Sequence, residues 1–592
     1  MRIALAQVNT TVGDLDGNVR IVINGAQEAH QAGAGLVVFP ELVVSGCPPE
    51  DLVLKDHFLM DCVARLQEIA AACPDIVALV GVPWPTDETV YNAAAILAGG
   101  RVAGLCRKMW PANHGVFDEK RYFASGERSC VLQMDGVRIG LSIGEDIWDE
   151  SRPGPWSAVE AGATLIVNSS MSPYHMGVGR ERAKMLSRRA QQLGAHVCYL
   201  NGVGGQDELV FDGQSLVYDA TGRLLARARQ FEEELVLLDL DLPQHQFALA
   251  AEGVVLPAGV DVVIVDRPGH AAGSRASAQG GQMVAASSAA AQSSVSGGAP
   301  AGTAVAQYLP REAEVYQALC LGVGDYVRKN GFSQVVLGLS GGVDSALVAC
   351  VARDVLGGES VTGVSMPSRY SSVGTKSDAR ETAARLGINF KEIAIEAIFA
   401  SYLQSLQTCF STGGMDATEQ NIQARIRGNL LMALSNKFGW LVLTTSNKSE
   451  TAVGYTTLYG DMAGGFAVLK DVPKTLVYEL CRYRNSLEGG SGPIPVSTIE
   501  RAPSAELAEN QTDQDTLPPY DLLDRIVEAY VERDESVDGL VDAGFERRVV
   551  ECVVAMIDGS EYKRRQAAPG VRITPKAFGR DRRLPLTNRY KG

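Results

Sequence analysis

The chain has 592 residues, of which 46% are hydrophobic and 21% charged, and its formal net charge is −15. That length exceeds what one hydrophobic core serves, so two or more domains of a globular protein are expected. No apolar run reaches bilayer-spanning length, and the acidic balance argues against a nucleic-acid or membrane partner. Eleven cysteines are scattered without a CxxC pair or zinc-spaced histidines, which predicts reduced thiols and a cytoplasmic location. Met1 to Val8 alternates and has no cleavage pattern after it, so it reads as a first strand rather than a signal peptide.

In chain order, short β-like runs at 36–39, 76–80, 137–141 and 164–167 alternate with helical stretches, an α/β organisation. Phe39-Pro40-Glu41-Leu42 places a carboxylate at the end of a buried run. Arg107-Lys108 precedes Val116 to Phe123, which carries Glu119. Gly140-Leu141-Ser142-Ile143-Gly144-Glu145-Asp146-Ile147-Trp148 ends another strand in a glycine and two acids. Each piece alone is weak. As an ordered set over residues 1–265 they resemble the nitrilase superfamily, and within it the glutaminase part of glutamine-dependent NAD synthetases.

That resemblance implies an α-β-β-α sandwich that hydrolyses glutamine through a thioester. Such chemistry needs a thiol nucleophile, a base and a cation for the oxyanion. By resemblance Glu41 is the base, Lys108 stabilises the tetrahedral intermediate, Glu119 supports Lys108, and Ser172, Tyr174 and Arg182 help hold glutamine. The nucleophilic cysteine of the family falls on Gly144, so this chain is expected to be glutaminase-dead. Cys47, in a loop, and Cys198, in a strand-like run, are poor replacements because attack needs the elbow position. Glu41, Lys108, Glu119, Asn168, Ser169, Ser172 and Arg182 all remain. That intact surrounding favours a deliberate removal of the thiol over decay by drift. His114 stands where the family usually carries tyrosine.

Residues 266–306 are almost entirely Ala, Ser, Gly and Gln and read as a flexible linker. Beyond it, strands are expected near 335–339, 361–365 and 440–444. The first runs into Ser340-Gly341-Gly342-Val343-Asp344-Ser345 and a helix start. This is a phosphate cradle: glycines let backbone N–H groups approach an anion, and the helix N-terminus adds its positive end. It lacks the lysine of a Walker A loop. Asp344 can hold magnesium, and Glu450, in Thr445-Ser446-Asn447-Lys448-Ser449-Glu450, is a candidate second ligand. Helical spacing over 419–427 carries Arg425 and Arg427 on neighbouring faces. Gly454 to Met462, Asp471 to Thr475 with Lys474, and Glu561 to Gln566 with Lys563 follow.

The cradle resembles that of the N-type ATP pyrophosphatases, and the series over 307–592 resembles the synthetase domain of NAD synthetases, a Rossmann-like parallel sheet. Asn447-Lys448-Ser449-Glu450 separates it from GMP and asparagine synthetases, although Ser446 replaces a common glycine. The resemblance implies ATP and Mg2+ as substrate and cofactor, with deamido-NAD and glutamine or ammonia as the other reactants. Deamido-NAD would be amidated to NAD through an acyl-adenylate, releasing AMP and pyrophosphate. Implied contacts are Ser340, Gly341, Gly342, Asp344, Ser345 and Thr445 for ATP, and Arg425, Asn447, Lys474 and Lys563 for substrate. A homo-oligomer built on a synthetase-domain dimer is expected. Alternatives are another pyrophosphatase-type amidotransferase, or a first half that serves only as an assembly scaffold.

Overall fold

Alternation within single strands sets the architecture of the first half. In the strand Arg2–Gln7, Ile3 and Leu5 face one core while Ala4 and Ala6 face another. The period of two lets one sheet bury both faces. Here a six-stranded sheet runs, in spatial order, Glu234–Asp239, Arg2–Gln7, Leu36–Val38, Val77–Pro85, Val90–Ala98, Arg101–Arg107. A seven-stranded sheet runs Leu224–Arg227, Leu216–Tyr218, His196–Asn201, Leu165–Ser170, Val137–Ile143, Ser129–Met134, Val260–Ile264. Ile3, Leu5, Val38, Ile139, Leu165 and Leu200 close the space between the sheets. The outer faces are covered by helices Leu15–Gln31 and Asp56–Ala72 on one side and Pro153–Glu160 and Val178–Leu193 on the other. This is the α-β-β-α sandwich expected of a nitrilase-type fold.

This computed structural model describes residues 1–151, 153–243, 258–266, 305–410, 416–489 and 492–590. Most of the expected linker, 267–304, lies outside the described residues. The chain after it is fastened to the first half: Ala306 N donates to Arg227 O at 3.0 Å, and the Tyr308 ring lies between the Arg227 and Arg180 guanidinium groups. No helix among the described residues is long and apolar enough to cross a membrane.

The second half is built on five parallel strands in the order Asn389–Glu392, Val361–Ser365, Val335–Gly338, Leu441–Thr444, Phe466–Ala467. The runs expected near 335, 361 and 440 are therefore neighbours in one sheet. Crossovers leave the central strand in opposite directions, so a crevice opens at the C-terminal ends of Val335–Gly338 and Leu441–Thr444, the usual ligand position in such sheets. Helices Tyr520–Val527 and Arg547–Gly559 form a further apolar cluster beside it. Polar groups join the two halves. Asp325 Oδ2 accepts from Asn9 Nδ2 and from Gly205 N, both at 2.7 Å, and Lys329 Nζ donates to Thr10 O and Gly205 O.

Candidate active sites

In the first half, four strand ends converge. Glu41 follows Leu36–Val38, Lys108 follows Arg101–Arg107, Gly144 follows Val137–Ile143, and Asn168 lies in Leu165–Ser170. Lys108 Nζ donates to Glu41 Oε1 and to Glu119 Oε2, each at 2.7 Å, and is 2% exposed. Asn92 Nδ2 donates to Glu41 Oε1 at 2.7 Å and reaches Glu119 Oε1 at 3.3 Å, while Met171 N donates to Glu41 Oε2 at 3.2 Å. Asp146 accepts from the backbone N–H groups of Met109 and Trp110 and so fixes the segment beyond Lys108. Burial alone would push the Lys108 ammonium down, but Glu119 and Glu41 outweigh it and hold it above its ordinary value. Burial pushes the Glu119 carboxyl up in spite of Lys108. Burial raises Asp146 to about 6.

Gly144 sits at φ +50°, the left-handed region that a sharp strand-to-turn elbow uses. Its carbonyl accepts from Asn168 Nδ2 at 3.2 Å. A Cβ built on residue 144 would fall 2.7 Å from Glu41 Oε2 and 2.9 Å from Lys108 Nζ. A side chain at this elbow would therefore meet both the carboxylate and the ammonium. Beside the cluster is a cavity of about 40 Å³, whose walls include Glu41, Cys47, Phe117, Glu119 and Phe211.

The other expected residues of this half divide. Ser172 N donates to Asn201 Oδ1 and its side chain is half-buried. Tyr174 and Arg182 do not line the cavity, contrary to the expected glutamine contact. Arg182 is 0% exposed and committed to Asp212, with Nη2 3.1 Å from Oδ1, and Tyr174 packs edge-on against Phe231 in the interior. A fully buried arginine needs a resident carboxylate, and Asp212 supplies it. His114 is exposed and lies 3.4 Å from Glu145. Burial, then Glu41 and Glu119, push the Cys47 thiol well up, and burial pushes Cys198 up to about 12. Both thiols are thereby held protonated, and a protonated thiol is a poor nucleophile.

In the second half the phosphate loop lines a cavity of about 300 Å³ at the sheet crevice. Ser345 Oγ accepts from Ser340 N at 3.2 Å and donates to Gly342 O at 3.1 Å, which pins the loop. Gly341 has φ +87°, and a Cβ there would fall 2.2 Å from Thr375 O, so only glycine fits. Asp344 stands in the first turn of helix Val343–Leu356. Its Oδ1 accepts from Asn447 Nδ2 at 2.9 Å, and its Oδ2 pairs with Lys474, whose Nζ is 3.5 Å from Glu450 Oε1. Asn447 and Glu450 form the capping box of helix Lys448–Val453, so one local motif sets Asn447 against Asp344 and Glu450 near Lys474. Burial, then Asp344, raise Glu450 to about 8, and Asp344 and Glu450 outweigh burial to hold Lys474 up.

Thr445 and Lys474 line this cavity, and Asn447 is fully buried, with its Nδ2 on Asp344 Oδ1. Two substrate contacts move. Arg425 is exposed and donates to Leu458 O, whereas Arg427 lines the cavity and donates to Met366 O at 3.0 Å. Two residues rotate a helix by about 200°, so the pair sits on opposite faces rather than neighbouring ones. Lys563 Nζ donates to Gly454 O and Thr456 O and lines a small adjoining cavity. It staples a turn, and the larger cavity does not include it. Sequence reading gave no role to Lys376, Arg501 and Asp513, which also line the cavity. They come from loops and helices remote in the chain, and no local pattern marks them. Arg427→Ala is expected to weaken ATP at least about tenfold, an interaction of about 1.5–3 kcal/mol for a charged hydrogen bond, with Arg425→Ala near the parent. Nucleotide titration of both variants checks this, and equal losses would contradict the assignment by face.

Comparison with known proteins agrees with both halves. Residues 2–248 match the carbon-nitrogen hydrolase family and residues 315–567 match NAD synthase. The chain is 45% identical to the glutamine-dependent NAD(+) synthetase of Thermotoga maritima, over all of this chain and 99% of the relative. It is 43% identical to that of Aquifex aeolicus over the whole of both chains. The solved glutamine-dependent NAD+ synthetase of Acinetobacter baumannii, in complex with ADP, superposes with a TM-score of 0.71 at 39% identity, covering 99% of this chain and 98% of that one. A hydrolase fold for carbon–nitrogen bonds fused to a parallel-sheet synthase defines an amide-forming ligase with its own nitrogen-donor half. The chain belongs to the glutamine-dependent NAD(+) synthetases.

Proposed function

We propose that this chain amidates deamido-NAD with ATP through an acyl-adenylate and takes ammonia from solution, because its glutaminase half lacks a nucleophile. The observation that carries the second part is Gly144: it occupies the elbow facing Glu41 and Lys108 and offers no thiol. Domain limits of 1–265 and 307–592 are part of the reading. In the synthetase half, a carboxylate oxygen of the nicotinate ring attacks the α-phosphorus of ATP and pyrophosphate leaves. Ammonia then attacks the acyl carbon and AMP leaves. The phosphate loop supplies backbone N–H donors, and Arg427 and Lys376 face the same cavity.

Asp344 and Glu450 are the residues that would hold Mg2+. The fit is supported by two carboxylates that share one ammonium, with Glu450 raised to about 8 by burial and by Asp344. Half-buried carboxylates on a cavity wall that already gather one ammonium are of the oxygen type that suits a divalent cation. When bound, the ion offsets charge on the departing pyrophosphate.

The test is NAD formation from deamido-NAD and Mg-ATP with either ammonium or glutamine as nitrogen donor. Turnover with ammonium alone is expected. Turnover with glutamine as well would show that another group replaces the thiol, and none with either would sink the synthetase assignment.

The homo-oligomer is proposed to bury the outer face of helices Glu396–Leu406 and Ala417–Phe438. Tyr402, Met432 and Phe438 are exposed there, an apolar surface of the kind subunit contacts cover. Light scattering of the full chain is expected to show a dimer or a multiple of it. Tyr402→Glu with Phe438→Glu should shift that mass downward, and a monomeric parent chain would refute the proposal.

A further inference from the structure

Arg501 lies on the wall of the second-half cavity, beside the phosphate loop, and has a carboxylate partner of its own. Its Nη1 donates to Gly341 O at 3.4 Å, and its Nη2 donates to Asp378 Oδ2. Asp378, in helix Val373–Leu386, is 7% exposed at its side chain and accepts from Ser497 Oγ at 2.8 Å through its other oxygen. Both carboxylate oxygens are thus engaged, which fixes where the guanidinium stands. The backbone makes room for it: a Cβ at Gly374, in the first turn of the same helix, would fall 2.9 Å from Arg501 Nη2. A guanidinium carries five N–H donors. Among the described residues, Asp378 and Gly341 O take one each from Nη2 and Nη1, which leaves Nε and one hydrogen on each terminal nitrogen for a ligand.

The other walls narrow which part of a nucleotide comes to these donors. Met366 and Leu431 stand over the strand end: a Cβ at Gly338 would lie 3.5 Å from Met366 Cε and 3.7 Å from Leu431 Cδ1. That apolar surface suits a flat base. The turn 340–342 and the start of helix Val343–Leu356 offer N–H groups to phosphates. A nucleotide with its base on the apolar wall runs its phosphate chain along that turn, toward Gly341 and so toward Arg501. Lys474 pairs with Asp344 at one flank of the turn, and Arg501 meets Gly341 O at the other. A phosphate chain in the turn therefore has a cation on each side.

We propose that Arg501 binds the phosphates of ATP beyond the α-phosphate, the pair that departs as pyrophosphate, and that Asp378 is the positioning residue acting through it. The inference rests on the proposed adenylation. In that step a carboxylate oxygen forms a bond to the α-phosphorus, and the bond from that phosphorus to the bridging oxygen breaks with its electron pair leaving on pyrophosphate. Arg501 N–H groups donate to the oxygens that gain this charge, and no proton is transferred. Arginine suits the place better than lysine. Its planar fork grips two phosphate oxygens at once while Asp378 holds the other edge.

The experiment uses the full chain and its variants Arg501→Gln, Arg501→Lys, Asp378→Asn, Asp378→Glu and Gly374→Ala. Binding of AMP, ADP and ATP, each with Mg2+, is titrated, and pyrophosphate is titrated as a competitor of ATP. In Arg501→Gln, AMP affinity is expected to stay within about twofold of the parent's, while ATP and pyrophosphate weaken about tenfold or more, the scale of a lost charged hydrogen bond. Arg501→Lys should recover part of that loss. Asp378→Asn should show the same selective loss in smaller measure, with Asp378→Glu nearer the parent. Gly374→Ala keeps every charge and displaces the guanidinium, so it should also weaken ATP and spare AMP, and it gives a second measurement if Arg501→Gln does not fold. Equal losses of AMP and ATP in Arg501→Gln would mean that the loop itself is disturbed and would overturn the assignment. Unchanged ATP and pyrophosphate affinity in that variant would overturn it too. If the parent makes no NAD from ammonium, the proposed activity fails, while the comparison of AMP with ATP still decides Arg501. A parent that binds neither ATP nor pyrophosphate overturns both.

Discussion

Gly144→Cys is expected to raise glutamine-dependent NAD formation by roughly 10³-fold or more while leaving the ammonium-dependent rate near the parent's, since loss of a nucleophile costs up to about 10⁶ in rate. Three features support it. The backbone at residue 144 already has φ +50°, so the elbow does not need to be rebuilt. The new Cβ would fall 2.7 Å from Glu41 Oε2 and 2.9 Å from Lys108 Nζ, so these two side-chain ends, rather than backbone, must shift to admit it. Asn92 and Met171 N hold the Glu41 carboxylate beside that Cβ, within reach of a thiol proton. The left-handed conformation at a non-glycine residue should cost about 1–3 kcal/mol. A slightly lower melting temperature of the first half is therefore expected together with the gain in rate. Ammonia release from glutamine without ATP is the direct measurement. If Gly144→Cys releases no more than the parent, residue 144 is not the nucleophile position and the reading of the elbow fails.

Asp344→Asn should lower pyrophosphate exchange dependent on deamido-NAD by roughly 10²–10³-fold, the scale for losing one charge-stabilising group at a reacting phosphate. Asparagine keeps the shape and can still accept from Asn447 Nδ2, so the loop geometry should survive. What it removes is the charge facing Lys474, whose ammonium then leans on Glu450 alone. The Mg2+ concentration needed for half-maximal exchange should rise together with the loss. A variant with near-parent exchange and unchanged Mg2+ dependence would remove Asp344 from the metal and phosphate site. Fold loss is distinguished by ATP titration, since a folded variant retains the N–H donors of the loop.

The strands near 36, 335 and 441 could be read from apolar runs because parallel strands buried on both faces are mostly apolar. The phosphate loop was equally legible, since Gly341 must be glycine to lie against Thr375 O. Asn92 and Asp513 were not legible. Their work depends on strand ends and loops that meet only in three dimensions, and an isolated Asn or Asp carries no signal of its own. Arg425 and Arg427 show the same boundary within one helix: spacing identified two arginines, and only the packing of Ala417–Phe438 against the sheet chose which one enters the cavity. Arg182 shows it again, because the buried partner Asp212 lies 30 positions away and takes the charge that a ligand was expected to meet.

By itself the sequence determined the two α/β halves, the composition break between them, the glycine cradle with its acid, and the absence of a thiol at residue 144. These are local properties, fixed by periodicity, by backbone freedom at glycine and by which atoms a side chain possesses. The tertiary structure alone decided that Lys108 is shared by Glu41 and Glu119, that Lys474 lies between Asp344 and Glu450, and that Arg580 reaches Glu50. Each is a pairing of charges brought together from distant parts of the chain. Burial makes an unpaired charge too costly to leave, and the fold settles which partners are within reach.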